Sequence, residues 1–372
     1  MRIKTLLPCV LGSMLVLACR KSANSSSTAA GGSTSATGTS TVTGSTVTAG
    51  TGTGTGGAMC VGDVHTVAEV TNGTLGSGTT ATLTGVVAMS RKFLVSSKTS
   101  CLWGVFVSAP GLTETAENTG LLALSYGTPP MVPAGGTKAY CPEQGVVPAG
   151  DQIPDDVAPG DVLDMTGTTS SFPTTFTTCV APSNPVNSIP MRQFTSVCKV
   201  TKTGTATPPK AHLLTAADIA NLSNGDGTTQ SVVDWHNKWG GVKVRVEMQA
   251  LQPGTTATST PAALTDCDST LTPPCTVRGF GNIVAGNPNV WFGDKMYYRG
   301  YQKDVCHSGP NYASFDTALK AGTSETFAYI EGFHYLDFCT WAIEINDRCA
   351  DVSPPPDDCA AATPPVTSCA GK

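Results

Sequence analysis

The chain has 372 residues, of which only 13% are charged, with a formal net charge of −5 and with 40 Gly, 26 Pro and 14 Cys. So many turn formers, with Thr frequent throughout, disfavour long helices and suit short strands joined by turns. The acidic balance lacks the basic field that a phosphate backbone needs, which disfavours nucleic acid as a partner.

Arg2 and Lys4 precede an apolar run at 6–17 that is short for a bilayer span, and the small Ala18 stands before Cys19. Val16-Leu17-Ala18-Cys19 resembles the lipobox of bacterial lipoproteins. The resemblance implies a signal peptide over residues 1–18, cleavage before Cys19, and acylation of its thiol and new amino group. The alternative is an ordinary secretory leader with a chance Cys. Each buried CH₂ contributes about 0.8 kcal/mol, so several acyl chains on Cys19 would hold the membrane firmly. Arg20 follows where family members kept at the inner membrane usually carry Asp, so the resemblance implies an outer-membrane lipoprotein of the cell envelope, exposed at the surface or not.

Residues 19–59 form a linker that from Ser22 onward is almost entirely Ser, Thr, Gly and Ala, with no aromatic and no charge. Such chain cannot bury enough to fold and is expected to act as a tether reaching ~35 Å.

Twelve cysteines remain after Cys9 in the leader and Cys19: Cys60, Cys101, Cys141, Cys179, Cys198, Cys267, Cys275, Cys306, Cys339, Cys349, Cys359 and Cys369. In an exported chain an even number predicts disulfides. With no CxxC and no pair of His at metal spacing, the pattern favours bridges over zinc, and neither a metal nor a cofactor is expected. Short-range pairings are Cys179 with Cys198, Cys267 with Cys275, and Cys349 with Cys359, with Cys60 reaching a cysteine of the tail. Five of the twelve precede the expected domain boundary, so complete pairing needs at least one bridge between the halves.

A first β-domain is expected over 60–202. Its strands fall at 81–89 (ATLTGVVAM), 101–107 (CLWGVFV), 121–126, 159–172 (PGDVLDMTGTTSSF) and 191–200. A linker at 203–212 contains the break TGTATPPK. The second β-domain, 213–352, opens with one short helix over 213–222 capped by Thr215. The alternation of Val242, Val244, Val246 and Met248 with Lys243, Arg245 and Glu247 then marks a half-buried strand. Two or three more strands are expected over 277–301. From 321 to 352, Phe327, Tyr329, Phe333, Tyr335, Trp341, Ile343 and Ile345 fall on alternate positions, with Gly332 where a strand could bend. Residues 353–372 form a Pro-rich, Cys-containing tail. Similar spacings of Gly85 from Gly241 and of Gly167 from Gly332 suggest an internal duplication.

ATLTGVVAM, CLWGVFV and PGDVLDMTGTTSSF are similar to OB-fold-like domains of exported bacterial proteins, and GGVKVRVEM, ETFAYIEGFHYLDF and AIEINDRCADV look like the same pattern again. The resemblance implies a mainly β protein of two OB-like β-barrels, Greek-key in type and stapled by disulfides; a pair of β-sandwiches is the alternative. Such domains often accompany a nuclease or phosphatase domain, and no such domain is expected here, so no catalytic residue is carried over.

An OB barrel binds across a sheet face and its loops. Trp291, Tyr297, Tyr298, Arg299 and Tyr301 lie in one short aromatic run that could stack on a sugar or peptide, although alternate rings filling the barrel, with the others covering its flank, are the favoured reading. Arg91, Lys92 and Lys98 read as solvated loop charges, and His334 as a polar strand position. Ser125 in ALSYG lacks the following helix of a nucleophile elbow. Asn224-Gly-Asp226-Gly227 reads as a turn, and Asp155-Asp156 as loop acids without an identifiable partner. No catalytic residue is assigned. The function expected is a non-catalytic, envelope-anchored lipoprotein that meets the membrane through its lipid and binds a glycan, a peptide or another envelope protein. A structural or adhesion component of the surface and an extracellular hydrolase without a linear motif are the alternatives.

Overall fold

The computed structural model describes residues 60–96, 99–131, 141, 150–173, 189–222, 226–250, 277–278, 282–285, 290–293, 326–337, 340–347 and 350–354. Cys19 and the linker lie outside these residues. The described part is mainly β, in two sheets.

The first sheet is built from β1 (Asp63–His65), β2 (Thr80–Ala88), β3 (Phe93–Ser96), β4 (Leu102–Ser108), β5 (Gly120–Tyr126), β6 (Asp161–Phe172) and β7 (Met191–Thr205), with α1 (Val67–Thr71) between β1 and β2. β2 pairs antiparallel with both β6 and β4. β6 pairs with β7 and β4 with β5, and β5 meets β7 in parallel at Ala123 and Phe194. The pairings therefore run β2, β6, β7, β5, β4 and return to β2. Alternate positions of these strands, among them Leu83, Val105, Ala123, Leu163, Met165 and Phe194, fill one apolar cluster. β7 runs past its expected end to Thr205, because its exposed Lys and Thr residues keep pairing with β6, across a register shift at Val162 and Leu163, down to Asp161.

The second sheet contains β8 (His212–Leu213), β9 (Lys243–Ala250), β10 (Val277–Arg278), β11 (Asn282–Ala285), β12 (Val290–Gly293), β13 (Thr326–Asp337), β14 (Thr340–Glu344) and β15 (Val352–Ser353). The alternating Val residues of β9 face a core with Phe292, Ile330, Ile343 and Trp235. One helix was expected here, and the described residues hold two: α2 (Ala216–Leu222) and α3 (Gln230–Trp239). Leu213, expected inside the helix, belongs to β8. α3 carries Val residues of poor helix propensity and no side-chain N-cap bond, so buried Val232, Trp235, His236 and Trp239 hold it by packing.

The two sheets repeat one arrangement. β9, β13, β14, β12 and β11 pair in the order of β2, β6, β7, β5 and β4, again with one parallel pairing, in which Phe292 faces Ile343 and Gly293 faces Glu344. Laying Gly332 on Gly167 places Val244 on Ala81, His334 on Thr169 and Ile343 on Phe194. The backbone bonds agree residue for residue. Gly78 N–H donates to Thr169 and Thr169 N–H to Thr79, as Gly241 N–H donates to His334 and His334 N–H to Val242. Gly241 (φ 84°) thus corresponds to Gly78 (φ 89°), not to Gly85 as the sequence spacing suggests, and Gly85 (φ 67°) corresponds to Met248 (φ 52°). Upstream, β1 and β8 each run parallel to the next strand and lead into a Thr-headed helix start. Thr66 exchanges bonds with Glu69, and Thr215 with Asp218. α3 has no equivalent in the first half, where a short turn joins α1 to Gly78.

The halves share a core cluster in which Met89, Phe93, Phe106, Leu122, Leu124 and Met191 meet Val232, Phe333, Tyr335, Leu336 and Trp341. Gly120 lies against Gly241 so closely that a Cβ there would stand 2.3 Å from the Gly241 carbonyl oxygen. The segment between β4 and β5 follows the second sheet: Thr115 Oγ1 donates to the Lys243 carbonyl at 2.6 Å and Asn118 N–H to that of Lys238 at 2.7 Å.

Among the described residues two bridges are formed, Cys60 with Cys198 and Cys101 with Cys141. The first replaces both the expected Cys179 to Cys198 bridge and the expected link of Cys60 to the tail. Sequence proximity failed because the sheet gathers the two ends of the first half, β1 and β7, through β2 and β6, so that Cys60 meets a cysteine at a sequence separation of 138. The other expected pairings fall outside the described residues.

Candidate functional site

The repeat makes two corners equivalent, one in each half, and they differ in what fills them. In the second half the corner is formed by His334 on β13 and Trp341 on β14, and α3 lies over it. His236 Nδ1 and His334 Nε2 are 2.7 Å apart, so one ring nitrogen donates to the other. The Trp341 ring stacks on both, at 4.5 Å from His334 and 4.4 Å from His236, and Trp235 meets His334 edge-on at 4.9 Å. His334 is fully buried, not the plain polar strand position expected. Burial, with a smaller contribution from His236, pushes its pKa well below the ordinary value, so it is neutral at physiological pH. Its Nδ1 has no hydrogen-bond partner among the described residues. The corner is packed shut.

In the first half the counterparts of His334 and Trp341 are Thr169 and Arg192. Thr169 Oγ1 donates to the Gly76 carbonyl. No helix of the described residues lies over this corner, and the Arg192 guanidinium lies half-buried against the turn at Gly73, where a Cβ would fall 1.8 Å from its nitrogen. Burial lowers its pKa, and no hydrogen bond or ion pair joins it to a described residue. The connection from β6 to β7, residues 174–188, contains no Asp or Glu. A cation held partly out of water without a counter-charge is costly. The arrangement suits an oxyanion arriving from solvent, since a guanidinium presents paired donors to a carboxylate, sulfate or phosphate.

Other ionisable clusters are closed on themselves. Lys92, expected in solvent, is buried: its Nζ lies 2.9 Å from Asp151 Oδ1, also bonds Asp155, and sits 4.6 Å from the centre of the Trp103 ring. Asp156, expected without a partner, pairs with Lys202 at 3.1 Å. Lys243 pairs with Asp351 at 2.7 Å and Glu331 at 3.3 Å, which ties β15 to β13 and β9. Arg245 bonds Glu247 and Glu331 and covers Tyr329. Ser125 is a buried strand residue whose Oγ donates to the Val197 carbonyl and accepts from Gln152 N–H. Asp226 accepts bonds from Thr228 and Thr229 just before α3.

Among the described residues no three His, Cys, Asp or Glu side chains gather as a metal site. The chain matches no protein-family model, no curated protein and no solved structure. Of the aromatic run, Trp291 is in β12 opposite Val284, and its neighbour Phe292 is core. Tyr297, Tyr298, Arg299 and Tyr301 lie outside the described residues, as do Lys98 and Cys19.

Sequence reasoning missed Arg192 and the histidine pair. A lone Arg on a predicted strand carries no signal, and His236 and His334 stand 98 positions apart.

Proposed function

We propose that the protein is a non-catalytic lipoprotein of the cell envelope, anchored through Cys19, whose two halves are duplicated OB-like barrels that bind an acidic glycan, peptide or envelope protein. The observation that carries the binding reading is Arg192, half-buried and without a hydrogen bond or ion pair to any described residue, in the corner that the other half fills with Trp341. The OB reading is supported by pairings that run through five strands and return to the first, with one parallel contact, and by their order recurring in the second sheet. Folds of this kind bind on a sheet face and its bounding loops, and Arg192 opens the strand that follows the β6 to β7 loop. The non-catalytic reading is supported by the described Lys, Asp and His clusters, which are engaged with each other. Anchoring rests on the resemblance of Val16-Leu17-Ala18-Cys19 to a lipobox.

Capture of uronate-containing and neutral oligosaccharides, and of acidic and neutral peptides, on immobilised protein tests the site. Arg192→Gln is expected to weaken binding of the acidic members by about tenfold or more, since a charged hydrogen bond contributes about 1.5–3 kcal/mol. Trp291→Ala, Tyr297→Ala and Tyr298→Ala test the aromatic run in the same assay. Equal capture of acidic and neutral ligands by wild type and Arg192→Gln would remove the reading. For the anchor, a mature N-terminal peptide with an unacylated Cys19 would remove that part.

A further inference from the structure

Lys92, Asp151 and Asp155 in the first half play no part in the binding reading. Lys92 follows β2, while both acids lie in the segment that leads to β6. The Lys92 amine also donates to the Ile153 carbonyl at 2.9 Å. Its side chain is 3% exposed, that of Asp151 0% and that of Asp155 22%, and the indole of Trp103 roofs the amine.

An ammonium and a carboxylate taken out of water lose hydration that their mutual attraction scarcely restores. Burial favours the neutral forms of both kinds of group. Burial accordingly pushes the Asp151 carboxyl up, against the opposing pull of Lys92. Moving one proton from the ammonium to the carboxylate leaves an amine beside a carboxylic acid, which are the two reactants of amide condensation. A nucleophile held against its electrophile gains the large effective concentration of an intramolecular reaction.

We propose that Lys92 and Asp151 become joined by an isopeptide bond, with Asp155 as the group that shuttles the proton. The Nζ lone pair attacks Cγ of Asp151 and forms the C–N bond. The Asp155 carboxylate takes a proton from the nitrogen and delivers it to the departing hydroxyl of Asp151. The C–O bond breaks, one water leaves, and Asp155 returns to its starting state. One amine and one acid give one amide and one water, so no oxidant, reductant or cofactor is consumed. Trp103 and the surrounding core keep water from the new bond and so oppose its hydrolysis. The product ties the end of β2 to the approach to β6 and replaces a buried ion pair by a neutral amide.

Peptide mapping of the reduced, alkylated and digested full-length protein by mass spectrometry tests this. The expected result is the peptide containing Lys92 joined to the one containing Asp151, lighter by one water than the two together, with fragments placing the bond at those two side chains. Lys92→Arg is expected to yield only separate peptides. Asp151→Asn is the sharper variant: an amide electrophile releases ammonia, so the joined peptides would be lighter by ammonia and not by water. In Asp155→Asn, with circular dichroism and the Cys101–Cys141 bridge showing a native fold, the joined species is expected to fall at least tenfold. Separate Lys92 and Asp151 peptides at full mass in folded wild type, an ion pair only, would overturn the proposal. A bond found at Asp155 would overturn the assignment of Asp151.

Discussion

Phe106 of the first sheet lies flat on Phe333 of the second, with ring centroids 4.1 Å apart and planes within 3°. Phe93 continues the stack and Tyr335 closes it edge-on at 5.9 Å. The contact is core, not a boundary between independent bodies. Phe333→Ala is therefore expected to cost about 3–5 kcal/mol and to lower the stability of both sheets together. Denaturant unfolding followed by probes in each half checks this, and two separated transitions in wild type would contradict it.

The histidine pair gives a dependence on pH with a definite sign. Folded His334 stays neutral well below 6.5, whereas the unfolded chain takes up a proton there near 6.5. The unfolded state then binds more protons, so this contribution to stability is lost as pH falls below about 6.5, by up to about 1.4 kcal/mol per pH unit. Asp351, raised by burial, acts in the opposite sense nearer the carboxylate range, and it is common to wild type and His334→Gln. The variant should lose less stability than wild type between pH 7 and pH 5 in urea titrations. Parallel losses would exclude His334 as the cause.

Met248 is 72% exposed and holds φ 52° at the position where the first half has Gly85. A side chain in that region costs roughly 1–2 kcal/mol, and glycine returns part of the gain as chain entropy. Met248→Gly is expected to stabilise by a few tenths to about 1 kcal/mol, and Gly85→Ala to destabilise by roughly 1–2 kcal/mol. Opposite signs in thermal unfolding support the register of the repeat. A destabilising Met248→Gly speaks against it.

Cys60 and Cys198 close a loop with a sequence separation of 138, within which Cys101 and Cys141 are joined. Replacing both Cys60 and Cys198 by Ser is expected to cost up to about 5 kcal/mol on the chain-entropy account. The loss should appear as a lower denaturation midpoint with little change in the native spectrum.

Local patterning carried much of the fold. The Val alternation of β9 and the apolar runs of β2, β4 and β5 each lie within two residues of the strands observed. What escaped was whatever depends on contacts distant in sequence. α3 has no cap and a poor composition for a helix, and it exists because Trp235 and Trp239 have a core to fill. Lys92 looks like a surface lysine until the chain 60 residues on folds over it. Arg192 gains meaning only from Trp341, the residue at the same place in the other half. Strand spacing located the glycines, but only the hydrogen-bond register shows that Gly241 repeats Gly78.

The arm between β4 and β5 bears on how any repetitive partner is met. Through Thr115 and Asn118, through the contact of Glu114 with His212 and through the ion pair of Glu117 with Lys238, it splints one half to the other. Held by such a splint, the two halves turn as one body, and only the first carries the Arg192 corner. A repetitive partner gripped there by its charge would meet the second half at a spacing that the fold sets, and would gain avidity only if its next unit falls at that spacing.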